Sequence, residues 1–200
     1  MSAALHVRAC RLDIADIQGA LRSHERHVDA RTEYRRAAVL FSLMDSDAGW
    51  QLVLTRRNND LPHHQGQIAF PGGSIDAGES PEEAALREAW EEVGLDSGEV
   101  TLLGLHDDIW TPSGFIITPV VGVISRDARF RINPAEVSRV FSVPLCFFAE
   151  ESNTERRMMH YRGVDREVLF FHYDGETIWG ATALLIRNVL SLLSLHADKR

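Results

Sequence analysis

Helical periodicity marks three segments of the chain. Residues 12–28 carry a rough apolar stripe among charged residues, which predicts an N-terminal helix that covers the core. Pro81–Val93 predicts a central helix, and residues 181–195 predict a strongly apolar closing helix. The closing segment is interrupted by Arg187 and Asn188 and is too short to span a bilayer, so we expect no membrane insertion.

Short runs rich in valine, leucine and isoleucine predict strands on both sides of the central helix. They are residues 37–43, 51–55, 100–105, 116–124 and 140–143. Residues 45–49 have the turn composition of a hairpin, whereas residues 56–66 are polar and predict a loop. Strands before and after one central helix indicate an α/β fold with a mixed sheet packed between helices.

The central helix has clear signals at both ends. Ser80 suits the N-cap, Pro81 the first helical position, and Glu83 completes a capping box. Gly94 is placed to end the helix. These signals predict a helix with well-defined bounds.

Composition limits the classes of protein to consider. With 200 residues and 44% hydrophobic content, the chain suits a single domain over residues 1–200, with residues 1–33 as an N-terminal helical extension. Cys10 and Cys146 do not indicate a disulfide framework, and the N-terminus does not resemble a secretory signal, so we expect a cytoplasmic protein. A net charge of −8 argues against nucleic-acid binding.

The central helix also carries candidate chemistry. At about 100° per residue, Glu88, Glu91 and Glu92 project from one face. The opposite face is expected to be the buried one and carries Leu86, Ala89, Trp90 and Val93. Carboxylates at this spacing repel each other, and a divalent cation would reverse that term. Hard oxygen donors suit Mg²⁺ or Mn²⁺ rather than Zn²⁺.

The spacing of charged and glycine residues around this helix is specific. Seven residues fit the pattern G-x5-E-x7-R-E-U-x-E-E-x-G-U, where U is apolar: Gly73, Glu79, Arg87, Glu88, Glu91, Glu92 and Gly94. In this the chain resembles the Nudix hydrolase family, whose defining box would occupy residues 73–95. The resemblance implies a Nudix α/β/α sandwich with a mixed central sheet, and an enzyme that hydrolyses pyrophosphate linkages.

The resemblance also assigns roles within the box. It makes Glu88, Glu91 and Glu92 metal ligands, with the carbonyl of Gly73 a further ligand. The remaining charged box residues, Glu79 and Arg87, would hold the loop and helix together.

The general base is left open by the sequence. A carboxylate must take the proton of the attacking water, and the glutamate that does so varies within the family. We take Glu91 and Glu88 as the catalytic candidates within the box. Glu136 is another, although an acidic residue in a surface loop is the simpler interpretation for it.

A second motif lies upstream of the box. Residues 54–57 and 66–76 are similar to the motif of the coenzyme A pyrophosphatase branch of the family, with Asn58 and Pro62 as departures from it. The resemblance implies hydrolysis of coenzyme A to 3′,5′-ADP and 4′-phosphopantetheine. The substrate-binding residues would be Arg57, Gly66, Gln67 and His64. We expect Arg57 to bind the 3′-phosphate, because a guanidinium pairs bidentately with phosphate.

Two other functions remain open. One is a Nudix pyrophosphatase for another nucleoside diphosphate derivative, such as ADP-ribose or NADH, or for a nucleoside triphosphate. The other is a Nudix module that senses a nucleotide without cleaving it, although such modules typically lose box glutamates. In each case the partner is a small molecule rather than nucleic acid or membrane, and the protein is a monomer or a homodimer.

Overall fold

A computed structural model describes residues 12–62, 64–161 and 163–197. Cys10, the first part of the N-terminal extension and His63 therefore lie outside the described residues. The helices are α1 (Ile14–Ser23), α2 (Pro81–Val93), α3 (Leu145–Ala149) and α4 (Gly180–Ala197). Two short 3₁₀ helices are Ser97–Glu99 and Glu151–Asn153.

The strands fall into two groups along the chain. Those of the central sheet are β1 (Arg35–Met44), β2 (Gln51–Arg57), β3 (Ile68–Ala69), β4 (Gly72–Ser74), β5 (Val100–Leu105), β6 (Ile109–Thr111), β7 (Phe115–Ile124) and β8 (Val137–Pro144). Those of a second sheet are β9 (Thr154–Tyr161), β10 (Val164–Tyr173) and β11 (Glu176–Trp179).

The central sheet is mixed, as predicted. Its main order is β3-β2-β1-β7-β5, with β4 paired to the start of β1, β6 to the start of β7, and β8 to β2. Strand β1 runs parallel to β7 and antiparallel to β2 and β4. The second sheet has the order β11-β10-β9 and was not predicted from the sequence.

Each face of the central sheet has its own core. On one face the small side chains of α2, Ala84, Ala85 and Ala89, pack with Ala38 and Leu40 of β1. On the other face Phe41 and Leu43 of the same strand pack with α1, α4 and the second sheet. Alternate residues of β1 therefore enter different cores, as expected for a strand covered on both sides.

The ends of α2 confirm the capping signals. The Ser80 side chain accepts from the Glu83 N–H at 3.2 Å, and the Glu83 carboxylate accepts from the Ser80 N–H at 2.8 Å. Gly94 adopts a left-handed conformation with φ of 65°, which glycine reaches at least cost.

The closing helix corrects one expectation. Its 18 residues, Gly180–Ala197, are by length and composition sufficient to cross a membrane, so the predicted segment was too short. Half of that helix is buried within the fold, against α1, β10 and β11. Such burial is typical of a helix that packs in a protein core.

The N-terminal helix is shorter than predicted. It ends at Ser23, because His24 adopts an extended conformation with φ of −82° and ψ of 125°. The following residues, 24–34, are not helical and run across the sheet. Val28, the last apolar residue of the predicted stripe, is 55% exposed. A helix that continued beyond His24 would therefore bury little additional apolar surface.

Buried ion pairs fasten this N-terminal segment to the sheet. The Asp108 carboxylate has a fully buried side chain and accepts from Arg26 at 2.7 Å and from Arg36 at 3.0 Å. It also accepts from the Thr118 hydroxyl at 2.7 Å and from the Asp29 N–H at 3.0 Å. All these donors converge on one carboxylate, so the segment depends on it.

We predict that Asp108→Ala lowers the free energy of unfolding by roughly 3–5 kcal/mol, because Arg26 and Arg36 lose their buried partner. The matched control is Asp47→Ala, which breaks an exposed pair with Arg126 and should cost at most about 1 kcal/mol. Urea titration of both variants measures the difference. Equal losses in the two variants would show that Asp108 does not fasten the segment.

Candidate metal centre

Two glutamates of α2 lie against the backbone of β4. A Cβ atom built on Gly73 would be 2.3 Å from Oε1 of Glu88, so this carboxylate lies directly over the glycine. The Gly72 N–H donates to Oε2 of Glu92 at 3.3 Å. A Cβ on Gly72 would be 2.4 Å from the carbonyl oxygen of Ala38. A side chain at Gly72 would meet the backbone of β1, and one at Gly73 would displace the Glu88 carboxylate.

The orientation of α2 differs from the expectation. Glu92 is only 3% exposed, whereas Trp90, predicted to be buried, is 52% exposed. At 100° per residue, Ala85, Ala89 and Glu92 fall within about 60° of each other, so Glu92 shares the buried face. Glu91 points outward with a half-exposed side chain. The carboxylates thus follow the seam between helix and sheet rather than a solvent-facing surface.

Arg87 is the hub of the site. It donates to both Glu79 oxygens at 2.8 and 3.0 Å, to Glu88 at 2.9 Å, to Glu91 at 3.2 Å and to the Ser74 carbonyl at 3.0 Å. These contacts join Ser74 and Glu79, which precede the helix, to α2. The Arg87 guanidinium lowers the pKa of Glu79. In turn, the hydrogen bond with Glu79, and then the one with Glu88, raises the pKa of Arg87.

Burial governs the electrostatics of the two inner glutamates. It raises the pKa of Glu92 to about 8, although Arg57 Nη1, 3.8 Å from Glu92 Oε1, opposes the shift. Burial also raises the pKa of Glu88, against the opposing effect of Arg87. Both carboxylates are therefore costly to ionise without added positive charge.

These residues fit a divalent cation. Carboxylate oxygens are the hard donors that Mg²⁺ and Mn²⁺ prefer. Two desolvated carboxylates side by side repel each other, and a bound cation would offset that repulsion. The residues that would hold it are Glu88 and Glu92, to which the sequence motif adds Glu91 and the Gly73 carbonyl.

Glu136 lies near the same glutamates. Its negative charge contributes to raising the pKa of both Glu88 and Glu92. Its carboxylate accepts from Asn133 at 3.3 Å, and its carbonyl accepts from the Asn58 N–H at 2.8 Å. The simpler interpretation of Glu136 as an acidic residue of a surface loop omitted this proximity.

The upstream candidates meet at the end of β2. The Arg57 N–H donates to the Gln67 carbonyl at 3.0 Å, and the His64 ring contacts the Gln67 side chain at 2.9 Å. Gly66 has φ of 63°, and a Cβ there would be 2.7 Å from the Asn59 side chain. Arg57 Nε is buried without an acceptor among the described residues. The loop therefore presents an unsatisfied donor beside the glutamates.

A different group of possible metal ligands was not predicted. One ligand atom each of His24, His106 and Asp107 lies within 4.8 Å of the others. Asp107 already accepts from His24 and from the His27 N–H, both at 2.7 Å, and its own N–H donates to His106. Because the possible ligand atoms already form hydrogen bonds, among them those that hold the N-terminal segment, we interpret this group as structural. No local pattern signals it, since His24 is 82 residues from His106.

Known proteins resemble this chain in sequence. A family model described as the NUDIX domain matches residues 33–177. The chain is 36% identical over 162 residues to the uncharacterized Nudix hydrolase NudL of Yersinia pestis (strain Pestoides F), covering 80% of this chain and 81% of that protein. It matches NudL of Yersinia pseudotuberculosis (serotype O:3, strain YPIII) to the same extent.

Solved structures share the fold. The Nudix hydrolase RenU of M. smegmatis has a TM-score of 0.50 and 24% identity, covering 57% of this chain and 73% of that chain. DR0079 of Deinococcus radiodurans has a TM-score of 0.50 and 20% identity, covering 80% of this chain and 86% of that chain.

We predict that the metal-free protein loses stability as pH rises from about 4.5 to about 8. Over this range the unfolded state releases the Glu92 proton while the folded state retains it, so ionisation favours unfolding. The penalty is of the order of a few kcal/mol at the upper end. Glu92→Gln should abolish most of this slope and unfold at a higher temperature than wild type at pH 8 with EDTA.

Thermal unfolding from pH 5 to 8 measures this effect. Glu91→Gln, on the same helix but half-exposed, is the control and should keep the wild-type slope. A pH-independent wild-type protein, or equal slopes in wild type and Glu92→Gln, would contradict the burial argument.

Proposed function

We propose that this chain, which belongs to the Nudix family, is a Mg²⁺- or Mn²⁺-dependent pyrophosphatase that hydrolyses coenzyme A. The observation that carries the hydrolase assignment is the convergence of Glu88 and Glu92 on the backbone of Gly72 and Gly73. Arg57 stands beside them with a free donor. Carboxylates for a cation and a guanidinium for a phosphate are the groups that pyrophosphate hydrolysis needs.

Each group has a proposed role. Glu88, Glu91, Glu92 and the Gly73 carbonyl hold the divalent cation. When bound, the cation neutralises phosphate charge and lowers the pKa of a bound water. Glu79 positions Arg87, and Arg87 positions Glu88 and Glu91 through the contacts described above. Keeping two ligands in place limits the reorganisation that catalysis requires.

The general base is either Glu91 or Glu136, and their placement separates them. Glu91 is bound to Arg87 at 3.2 Å and is half-exposed. Glu136 lies on the loop before β8, and its negative charge contributes to raising the pKa of Glu88 and Glu92. The pH profile of kcat distinguishes them, because only removal of the base abolishes its acidic limb.

Coenzyme A is proposed from the upstream motif. Arg57, at the end of β2, bonds to Gln67 in the loop that carries Gly66, and it lies beside Glu92, which supports a role in substrate binding. His64 contacts Gln67 in the same loop. The first alternative, another nucleoside diphosphate derivative or a nucleoside triphosphate, shares the metal centre but not this motif. The second, a sensing module, is disfavoured because every box glutamate is present.

The position of Arg57 changes its proposed role. Its guanidinium lies 3.8 Å from the buried Glu92, within the metal centre. A phosphate of the scissile pyrophosphate is then its nearest anionic partner, rather than the 3′-phosphate expected from the sequence. Arg57 should therefore act on every substrate that carries the pyrophosphate.

We predict that Glu88→Gln and Glu92→Gln each lower kcat by orders of magnitude while the circular dichroism spectrum is retained, because each removes a charged ligand but preserves shape. Turnover of coenzyme A with Mg²⁺ or Mn²⁺ measures this. Glu82→Gln, in the first turn of α2, is the control and should remain active. Wild-type turnover in Glu92→Gln would refute the metal centre.

For the substrate, we predict that wild-type enzyme prefers coenzyme A to ADP-ribose, NADH and nucleoside triphosphates, with chromatography identifying the two products. Arg57→Ala should lower kcat/KM for coenzyme A and dephospho-coenzyme A alike, by roughly one to two decades. Arg56→Ala is the matched control, because this neighbour pairs with Glu176 instead.

Two results would contradict these statements. Preference for ADP-ribose or a triphosphate would overturn the coenzyme A assignment while leaving the hydrolase intact. If Arg57→Ala impaired the hydrolysis of coenzyme A but not of dephospho-coenzyme A, Arg57 would instead bind the 3′-phosphate, as expected from the sequence.

A further inference from the structure

Aromatic rings and arginines gather at the end of β6. The Tyr34 ring meets the Trp110 ring edge-on, with centroids 5.9 Å apart. The Arg31 guanidinium lies 4.9 Å from the Tyr34 centroid and 5.7 Å from that of Trp110. Arg166, from β10 of the second sheet, lies 4.8 Å from the Trp110 centroid. We call these four residues the Trp110 cluster.

Strand register places Trp110 on the same face of the sheet as the metal centre. Gly73 is paired with Ala38, and Ala38 with Thr118. Trp110 is paired with Ile116, two residues from Thr118. Paired residues, and residues two apart on a strand, share a face. By register, Trp110 itself projects to the face that α2 covers, three strands from Gly73, or roughly 15 Å at the usual strand spacing. Arg166 reaches its ring from β10, whose sheet packs on the other face.

One of the two arginines of the cluster has no counterion among the described residues. Arg166 is exposed, and no carboxylate within the described residues pairs with it. Trp110 Nε1 is buried and has no acceptor in the same part of the chain. Arg31, by contrast, pairs with Asp29. In a chain of net charge −8, a free guanidinium beside an unsatisfied N–H is a local site for an anion.

The ring contacts decide which part of a nucleotide fits. Arg166 and Arg31 already lie over the Trp110 ring, so stacking of a base would require their displacement. A phosphate requires none, since it can accept from guanidinium groups that stay on the ring. Arginine suits this task because its fork matches phosphate oxygens while its plane stays stacked.

We propose that the Trp110 cluster binds a phosphate group outside the scissile pyrophosphate, with Arg166 as its principal ligand. The inference rests on the proposed function for the identity of the substrate, in which this group is the 3′-phosphate of coenzyme A. Arg57 at the metal centre and Arg166 at the cluster then divide the two anionic parts of the substrate between them. The second sheet contributes to the site through this one side chain.

The test compares Arg166→Ala with Arg35→Ala. Arg35 is also exposed and stacks on a ring, 4.1 Å from the Phe115 centroid. Arg36 is paired with Ile116 and so shares the face of Trp110. Arg35, the preceding residue of β1, projects from the other face of the sheet. Arg166→Ala should raise KM for coenzyme A about tenfold or more, with kcat unchanged and dephospho-coenzyme A unaffected. Arg35→Ala should change neither substrate.

Arg166→Lys tests whether the planar fork matters. Because lysine keeps the charge but binds phosphate as a point charge, this variant should fall between wild type and Arg166→Ala. Equal effects of Arg166→Ala on both coenzyme forms, or no effect on either, would overturn the proposal.

A binding experiment separates this inference from the hydrolase assignment. Calorimetry with Mg²⁺ compares 3′,5′-ADP with 5′-AMP, which differ only in the 3′-phosphate. Wild-type protein should bind 3′,5′-ADP about tenfold more tightly, and Arg166→Ala should abolish the difference. This result would support the cluster even in a protein that does not hydrolyse coenzyme A. Equal wild-type affinities for the two nucleotides would refute the cluster and leave the metal centre untouched.

Discussion

The burial of Glu92 between α2 and β4 is the constraint on which the site depends. An ionisable side chain 3% exposed must find polar partners, and it has the Gly72 N–H and the Arg57 guanidinium. The helix reaches β4 only because alanines line its inner face and glycines form the strand. The packing of α2 on the sheet therefore also places the Glu88 and Glu92 carboxylates against β4. A larger side chain at Gly73 would displace the Glu88 carboxylate.

Charge networks support this seam from both sides. Arg87 joins the loop, the helix and the strand through four acceptor residues, so that α2 and the preceding loop act as one unit. Asp108 is the corresponding centre for the N-terminal segment. There one carboxylate accepts from two arginines, whereas Arg87 is one donor that serves several acceptors. The candidate metal centre and Trp110 lie on one face of the central sheet. Each is next to an arginine that lacks a partner for at least one donor among the described residues, Arg57 and Arg166 respectively.

The sequence predicted what local signals encode. Capping residues defined α2 correctly, and the mixed sheet followed from the order of elements. The buried side of α2 was predicted only in part: Ala89 and Val93 are buried as expected, whereas Trp90 is exposed and Glu92 is buried. The apolar pattern of a helix does not indicate that a carboxylate occupies its buried face. The second sheet was missed because β9 and much of β10 are exposed and charged. Pairs such as Arg26 with Asp108 join residues 82 positions apart, which no local pattern reports.

Strand β1 changes partners along its length, from β4 at residues 37–39 to β2 at residues 43–44. The connection between β3 and β4 bridges this fork with Phe70 and Pro71, and Leu40 donates to the Pro71 carbonyl at 2.8 Å. The length of that connection is consequently as important as its composition. One inserted residue would shift β4 by one position, so that a different residue would face Glu88. An insertion between Ala69 and Gly72 would therefore displace the glycines that lie against Glu88 and Glu92.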